Sequence, residues 1–297
     1  MTTTSTELQI LSDRSLVALS GPDAEKFLQG VITNDVALLE NQDFILAALL
    51  SPQGKVLFEF YVIRAGDDLW IDVARSSADE LVKRLSMYKL RADVRIADVS
   101  ASNCVAYATY PYFQECEVYY FMARHSLKAP FRGRCYITAA HDAVGKRLSE
   151  IGSNAPDPDH ETNRISLGIP EGGKDYAFGE IFPHEAMLDQ LNGVSFTKGC
   201  YVGQEIVSRM EHRGTARSRF LMVAGDGPLP VRGTEVLAGE RPIGVMGSRV
   251  ESHGLALVRL DRLTDAYTDG KPITTSGVPI TLTKPPYATF SVPELKP

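Results

Sequence analysis

The sequence predicts an α+β protein that ends in a small β-barrel. Three observations lead there. Residues 44–100 run strand, strand, strand, helix, strand, and residues 103–152 repeat much of that order. From about residue 214, short apolar runs alternate with Gly and Pro turns. At 297 residues the chain is too long for one small core.

The elements follow in order. "SLVALSG" (15–21) is a short strand leading into "PDAEKFLQGVI", a helix with Pro22 at its first position and Gly30 at its end. "FILAALLS" (44–51) and "KVLFEFYVI" (55–63) are strands joined by a hairpin-type turn. "DLWIDVA" (68–74) is a third strand. "SADELVKRLSMYKL" (77–90) carries apolar residues at helical spacing, with Ser77 and Glu80 placed for a capping box. "VRIADVS" (94–100) returns as a strand. "NCVAYATY", "EVYYFMAR" and "GRCYITAA" are further strands, and "AHDAVGKRLSEIG" a helix. "SNAPDPDHET" (153–162) reads as a linker running into a helix that ends at Gly168 and Pro170. Beyond residue 214 no helical period of useful length remains, and the segment reads as all-β.

Composition excludes several classes. A hydrophobic share of 44% with 23% charged residues is that of an ordinary soluble protein. A net charge of −6 argues against a general nucleic-acid binder, so no direct nucleic-acid partner is expected. No apolar run reaches membrane-spanning length, and no membrane partner is expected. "MTTTSTELQI" lacks the pattern of a signal peptide, which points to the cytoplasm, or to the mitochondrial matrix in a eukaryote. The four cysteines show neither C-x-x-C nor zinc spacing, so no permanently bound metal is expected. Cys104, Cys116 and Cys135 sit in strand-like runs and read as core or edge residues. A monomer is expected.

The chemistry concentrates in "KGCYVGQE" (198–205) and the residues after it. Lys198 and Arg209 are positive neighbours of Cys200 in sequence, and such neighbours favour the thiolate. Gly199 and Gly203 bracket the cysteine and allow a sharp turn. Gly203 can open a helix in which Glu205 and Arg209 form an i,i+4 pair, with Gln204 at its start. Spacing alone leaves Cys200 open between a structural turn, a reactive thiol and a ligand. Arg164, with Arg209 or Arg213, is a candidate to fork onto a ligand carboxylate. Trp70, the single tryptophan, can pack in the core or stack on a flat ligand.

Taken together, these stretches resemble the YgfZ-type folate-binding proteins, whose mitochondrial relatives are iron–sulfur cluster assembly factors. "KGCYVGQE" matches the family signature. "FLQGVITNDV" (27–36), "LLSPQGKVLFEF" (49–60), "RISLGIPEGGKDY" (164–176) and "IFPHEAMLD" (181–189) agree with it in order and spacing. The likeness extends through "PIGVMGSRV" (242–250) and "GLALVRL" (254–260). It implies the fold of the glycine-cleavage T-protein, a three-domain ring around a central folate channel. On that pattern residues 1–43 and 101–213 form a discontinuous first domain, 44–100 an inserted α+β domain and 214–297 the barrel.

The resemblance implies a non-covalent tetrahydrofolate or related reduced folate. It also implies partners among iron–sulfur client proteins or the assembly machinery, including radical enzymes that modify tRNA. Cys200 carries the role, activated by Lys198 and Arg209. The expected ligand-site residues are Arg164, Glu59, Trp70, Tyr201, Gly199, Gly203, Gln204 and Glu205. Where the T-protein has an Asp-Asp pair, this chain has Phe58 and Glu59, which speaks against aminomethyl transfer. A folate-dependent transferase or demethylase acting on a small amine is the alternative.

Overall fold

The computed structural model describes residues 8–109, 118–119, 132–137, 160–214 and 216–292. The helix expected over "AHDAVGKRLSEIG", most of the linker, Cys116 and all but two residues of "EVYYFMAR" lie outside them. Two compact units emerge. The first comprises Met1–Leu49, Phe58–His160 and Thr197–Tyr201; the second comprises Leu50–Leu57, Glu161–Phe196 and Val202–Pro297.

The first unit holds two antiparallel sheets. One has the order β3-β4-β5-β2-β6, from β2 (Arg14–Ser20), β3 (Phe44–Leu50), β4 (Val56–Ala65), β5 (Asp68–Ala74) and β6 (Arg95–Asp98). The sequence shows why β4 is a strand. Val56, Phe58, Phe60 and Val62 are buried, and Leu57, Glu59 and Tyr61 between them are half-exposed, which is the period of two. β2 lies between β5 and β6, with Leu16 opposite Asp72 and Ala18 opposite Ala97. The expected inserted domain 44–100 therefore has no sheet of its own, because a strand from residues 1–43 completes it. α1 (Ala24–Gln29) starts two residues after Pro22, so the proline precedes the helix. α2 (Ala78–Tyr88) buries Ala78, Leu81 and Leu85, but Ser77 makes no side-chain capping bond.

The other sheet has the order β1-β7-β9-β8, from β1 (Leu8–Ile10), β7 (Cys104–Thr109), β8 (Val118–Tyr119) and β9 (Arg132–Ile137). Leu11, Leu16, Ile63, Val105, Tyr107 and Tyr136 form a shared core, and Trp70 packs against it. Cys104 is buried, and burial pushes its thiol up to about 11. An ionic cluster crosses this core. Asp72 on β5 accepts from Arg14 Nε at 2.6 Å, from Arg134 Nη1 at 2.9 Å and from the Tyr136 hydroxyl at 3.2 Å. Its carboxylate has no solvent exposure. Burial, with Asp72 alongside, raises the Tyr136 phenol well above its usual range.

The second unit contains a closed barrel with the order β10-β13-β12-β11-β14-β15. Its strands are β10 (Ser218–Gly225), β11 (Glu235–Ala238), β12 (Arg241–Val250), β13 (His253–Arg259), β14 (Ile273–Thr275) and β15 (Val278–Thr283). Leu221, Val223, Val236, Ile243, Met246, Val258 and Leu282 fill it. One helix also contributes. α5 (Leu260–Thr268) puts Leu263 and Ala266 into the same core, which corrects the all-β expectation. α3 (His160–Ser166) and α4 (Gln204–Arg213) complete the set of described α-helices. Among the described residues no helix is long and apolar enough to cross a membrane.

Removing the acid from the Asp72 cluster leaves two guanidinium groups with little water to replace it. Asp72→Ala is expected to lose about 3–5 kcal/mol of unfolding free energy, measured by urea denaturation.

Candidate functional site

Lys198 determines the setting of Cys200. Its residue is buried, and its Nζ donates to the carbonyl oxygens of Gln29 at 2.7 Å, Ile32 at 2.9 Å and Asn34 at 2.7 Å. α1 ends at Gln29, where helix carbonyls run out of intrahelical partners, and an ammonium group suits that end. The anchor is itself held. Thr33 N–H donates to Ala48 O at 2.9 Å, and Asn34 Nδ2 donates to Leu46 O at 2.7 Å. Burial lowers the Lys198 pKa to about 8, with Asp35 opposing the shift. Sequence placed Lys198 beside the thiol as a positive neighbour; in the fold its Nζ is bonded to these three backbone oxygens. Its Nζ also lies 5.3 Å from the ring centroid of Tyr201. Tyr201 is buried, and burial pushes its phenol up to about 12. Cys200, between these two buried neighbours, is exposed.

The next glycine is a steric requirement. Gly203 has φ +82°, and a Cβ there would come within 2.7 Å of Ser51 O and 3.2 Å of Gly54 Cα. Gly54 has φ +78°, and its own Cβ would come within 2.9 Å of Ile206 Cβ. The turn of "LLSPQGK" and the end of "KGCYVGQE" thus meet backbone to backbone. That turn is stitched down by Val56 N–H to Ile181 O at 3.0 Å and by Lys55 Nζ to Glu180 O at 2.8 Å. Lys55 Nζ also sits 3.4 Å over the Phe182 ring. Gly199 differs, because a Cβ there would meet nothing within 4 Å. Its expected turn-shaping role has no steric basis, and the space beside Cys200 is open.

Gln204 is half-exposed at the start of α4, and Glu205 and Arg209 are exposed along it. The expected Glu205–Arg209 ion pair does not form among the described residues.

Arg164 does not fit its expected role as a carboxylate receptor. It is buried, and each of its five N–H donors has a protein acceptor. Nε reaches Glu161 Oε2 at 3.2 Å, and Nη2 binds Glu161 Oε1 and Ser248 Oγ, the latter at 2.8 Å. Nη1 reaches Ile169 O at 2.7 Å and Asp175 Oδ2 at 2.5 Å. Asp175 also accepts the Ser248 N–H at 2.7 Å, and a Cβ on Gly247 would fall 2.5 Å from Asp175 Oδ1. Arg164 is therefore a latch joining α3, the 169–175 loop and β12. Nothing local in the sequence marks Asp175 or Ser248 as its partners; they lie eleven and eighty-four residues away.

Glu59 is half-exposed on β4, on the face opposite buried Phe58. Trp70 is half-buried and packs against the shared core of the first unit. Sequence reasoning did not single out one further cluster. His184, Asp189 and Glu211 bring a ligand atom each within 4.8 Å of one another. Arg219 Nη1 already supplies a cation to Asp189 at 2.6 Å and bonds the His184 carbonyl at 2.6 Å. Asp189 is thus already engaged by an arginine, and Glu211 lies 3.1 Å from His184 Nε2.

Known proteins share this organisation. The GCVT N-terminal domain family matches residues 10–107, and the CAF17 C-terminal beta-barrel domain family matches residues 217–290. The glycine cleavage system aminomethyltransferase T from Bartonella henselae superposes with a TM-score of 0.72 over 96% of this chain and 86% of that one. At 14% identity, that likeness concerns the fold. The iron-sulfur cluster assembly factor IBA57 homolog of Chaetomium globosum, a mitochondrial protein by its name, is 30% identical over 88% of this chain and 73% of its own length. The mitochondrial IBA57 of Mus musculus is 30% identical over 85% of this chain and 77% of its own. The chain belongs to the IBA57 family of iron–sulfur cluster assembly factors.

Proposed function

We propose that this chain assists the assembly or repair of [4Fe–4S] proteins through the thiol of Cys200. One observation carries the reading: Cys200 is exposed between two buried residues on a loop pinned by three lysine hydrogen bonds, in a chain of this family. A single thiolate cannot hold a cluster by itself, since clusters are commonly bound by four cysteines. Cys200 therefore acts together with ligands from a client or an assembly protein. Lys198 positions the thiol, and the open side at Gly199 leaves room for a second protein's ligands. The relatives' names support a mitochondrial setting.

A reduced folate enters the proposal with one amendment. Arg164 has no N–H left for it, so no step is routed through the folate. The amine-transfer alternative has less support. Phe58 is buried in β4 and cannot move a proton, and Glu59 lies on the other face.

Four measurements test this reading. Cells lacking the chain regain [4Fe–4S] enzyme activity with the wild type and not with Cys200→Ala; full rescue by the variant sinks the role of the thiol. In native protein Cys200 reacts with an alkylating reagent, whereas Cys104 reacts only after unfolding. Lys198→Met loses about 3 kcal/mol of stability through its hydrogen bonds to carbonyl groups, and the pH profile of Cys200 alkylation stays the same; an upward move of that profile would return Lys198 to an activating role. Arg164→Gln lowers stability by about 3 kcal/mol, while tetrahydrofolate affinity, read from Trp70 fluorescence, is unchanged. A tenfold loss of affinity at full stability would make Arg164 a ligand contact after all.

A further inference from the structure

The C-terminal end of α2 shows two features that no contact among the described residues explains. Leu90 follows the helix cap Lys89 and has φ +47°. This is the left-handed position that helix ends usually fill with glycine, and a residue with a Cβ is strained there. Burial does not offset the strain, because Leu90 is 86% exposed. Met87, three residues earlier, is 62% exposed.

The segment is fixed in place. Ala92 N–H donates to Lys89 O at 2.7 Å, and Val94 N–H to Ala92 O at 2.9 Å. Lys89 Nζ donates to Val94 O at 2.7 Å, and Asp93 N–H to Asp23 Oδ2 at 2.8 Å. Gly21 lies so close that a Cβ would come within 2.4 Å of Asp93 O. Leu90 is thus held outward, in a conformation already organised for contact.

Charge identifies the kind of partner. The chain is acidic overall, yet residues 83–95 carry Lys83, Arg84, Lys89, Arg91 and Arg95 against a single acid, Asp93. Lys83, Arg91 and Arg95 are exposed, and none has an ion pair among the described residues.

We infer that this tip is a docking knob for a partner protein whose surface offers an apolar pocket rimmed by carboxylates. Leu90 and Met87 fill the pocket, and Arg91 and Arg95 meet the rim. A buried apolar anchor within a charged rim is the arrangement that concentrates binding energy at protein interfaces. Two side chains expose less apolar surface than one acyl chain, which by itself binds membranes only marginally. The acidic net charge of the whole chain disfavours nucleic acid as the partner. The inference does not depend on Cys200 and stands or falls separately from the proposed thiol chemistry.

The test uses the full chain, expressed in its own cells with a photo-crosslinking phenylalanine analogue at exposed Ser86. The expected product is a crosslink to a protein through an acidic, apolar-containing peptide. With that protein purified, Leu90→Gly and the pair Arg91→Glu, Arg95→Glu each weaken its affinity by about 30-fold. Leu90→Gly also raises the melting temperature by about 2 °C, because glycine relieves the left-handed strain. Added salt weakens binding of the wild type more than that of the charge-reversed pair. Crosslinks to lipid or nucleic acid, no crosslink, a crosslink whose affinity ignores these variants, or a lower melting temperature for Leu90→Gly would overturn the proposal.

Discussion

An ammonium ion turned toward three backbone carbonyls places the signature loop. Lys198 accounts for a basic residue two positions before the exposed cysteine by its three bonds to backbone oxygens. Its work is geometric. It satisfies oxygens that the short helix α1 and the turn after it leave open, and it fixes the start of the loop against β3 through residues 33–34. Tyr201 is buried on the other side of Cys200, so the thiol is carried between two fixed points. The exposed sulfur is thereby held with little conformational freedom.

Buried guanidinium groups do similar work within each unit. In the first, Asp72 binds Arg14 of one sheet and Arg134 of the other, so both sheets close on one carboxylate. In the second, Arg164 gathers Glu161, Asp175 and Ser248 and ties α3 to barrel strand β12. Such pairs are costly to bury and costlier to break. They favour a unique arrangement of the elements they join.

Much of the fold was legible because it is local. The alternation in β4, the apolar spacing of α2 and the turn-rich barrel all follow from neighbouring residues. The missed features have non-local causes. β2 joins the 44–98 sheet by pairing with β5, fifty or more residues away, and no sequence period announces that pairing. Ser77 sits where a capping box is expected, but a turn of 3-10 helix over Arg75–Ser77 precedes α2 there, and its hydroxyl does not cap. α5 escaped because its apolar positions are few and flanked by turns. At the site, Gly203 could be read as a glycine needing positive φ. Its collision partner, Ser51, could not. Arg164 looked like a ligand residue because its acceptors are supplied by the fold.

The division of the chain has a practical consequence for anyone cutting it. The polypeptide passes from one unit to the other five times, and the five residues Thr197–Tyr201 return to the first unit from within the second. No single truncation yields either unit whole, so a fragment ending before the signature would lack the lysine that closes α1. Contacts between segments far apart in sequence also slow folding, because long loops must close before those contacts form. Synthesis must run past residue 201 before the first unit has all its parts. The thiol loop is among the last pieces the nascent chain can supply to it.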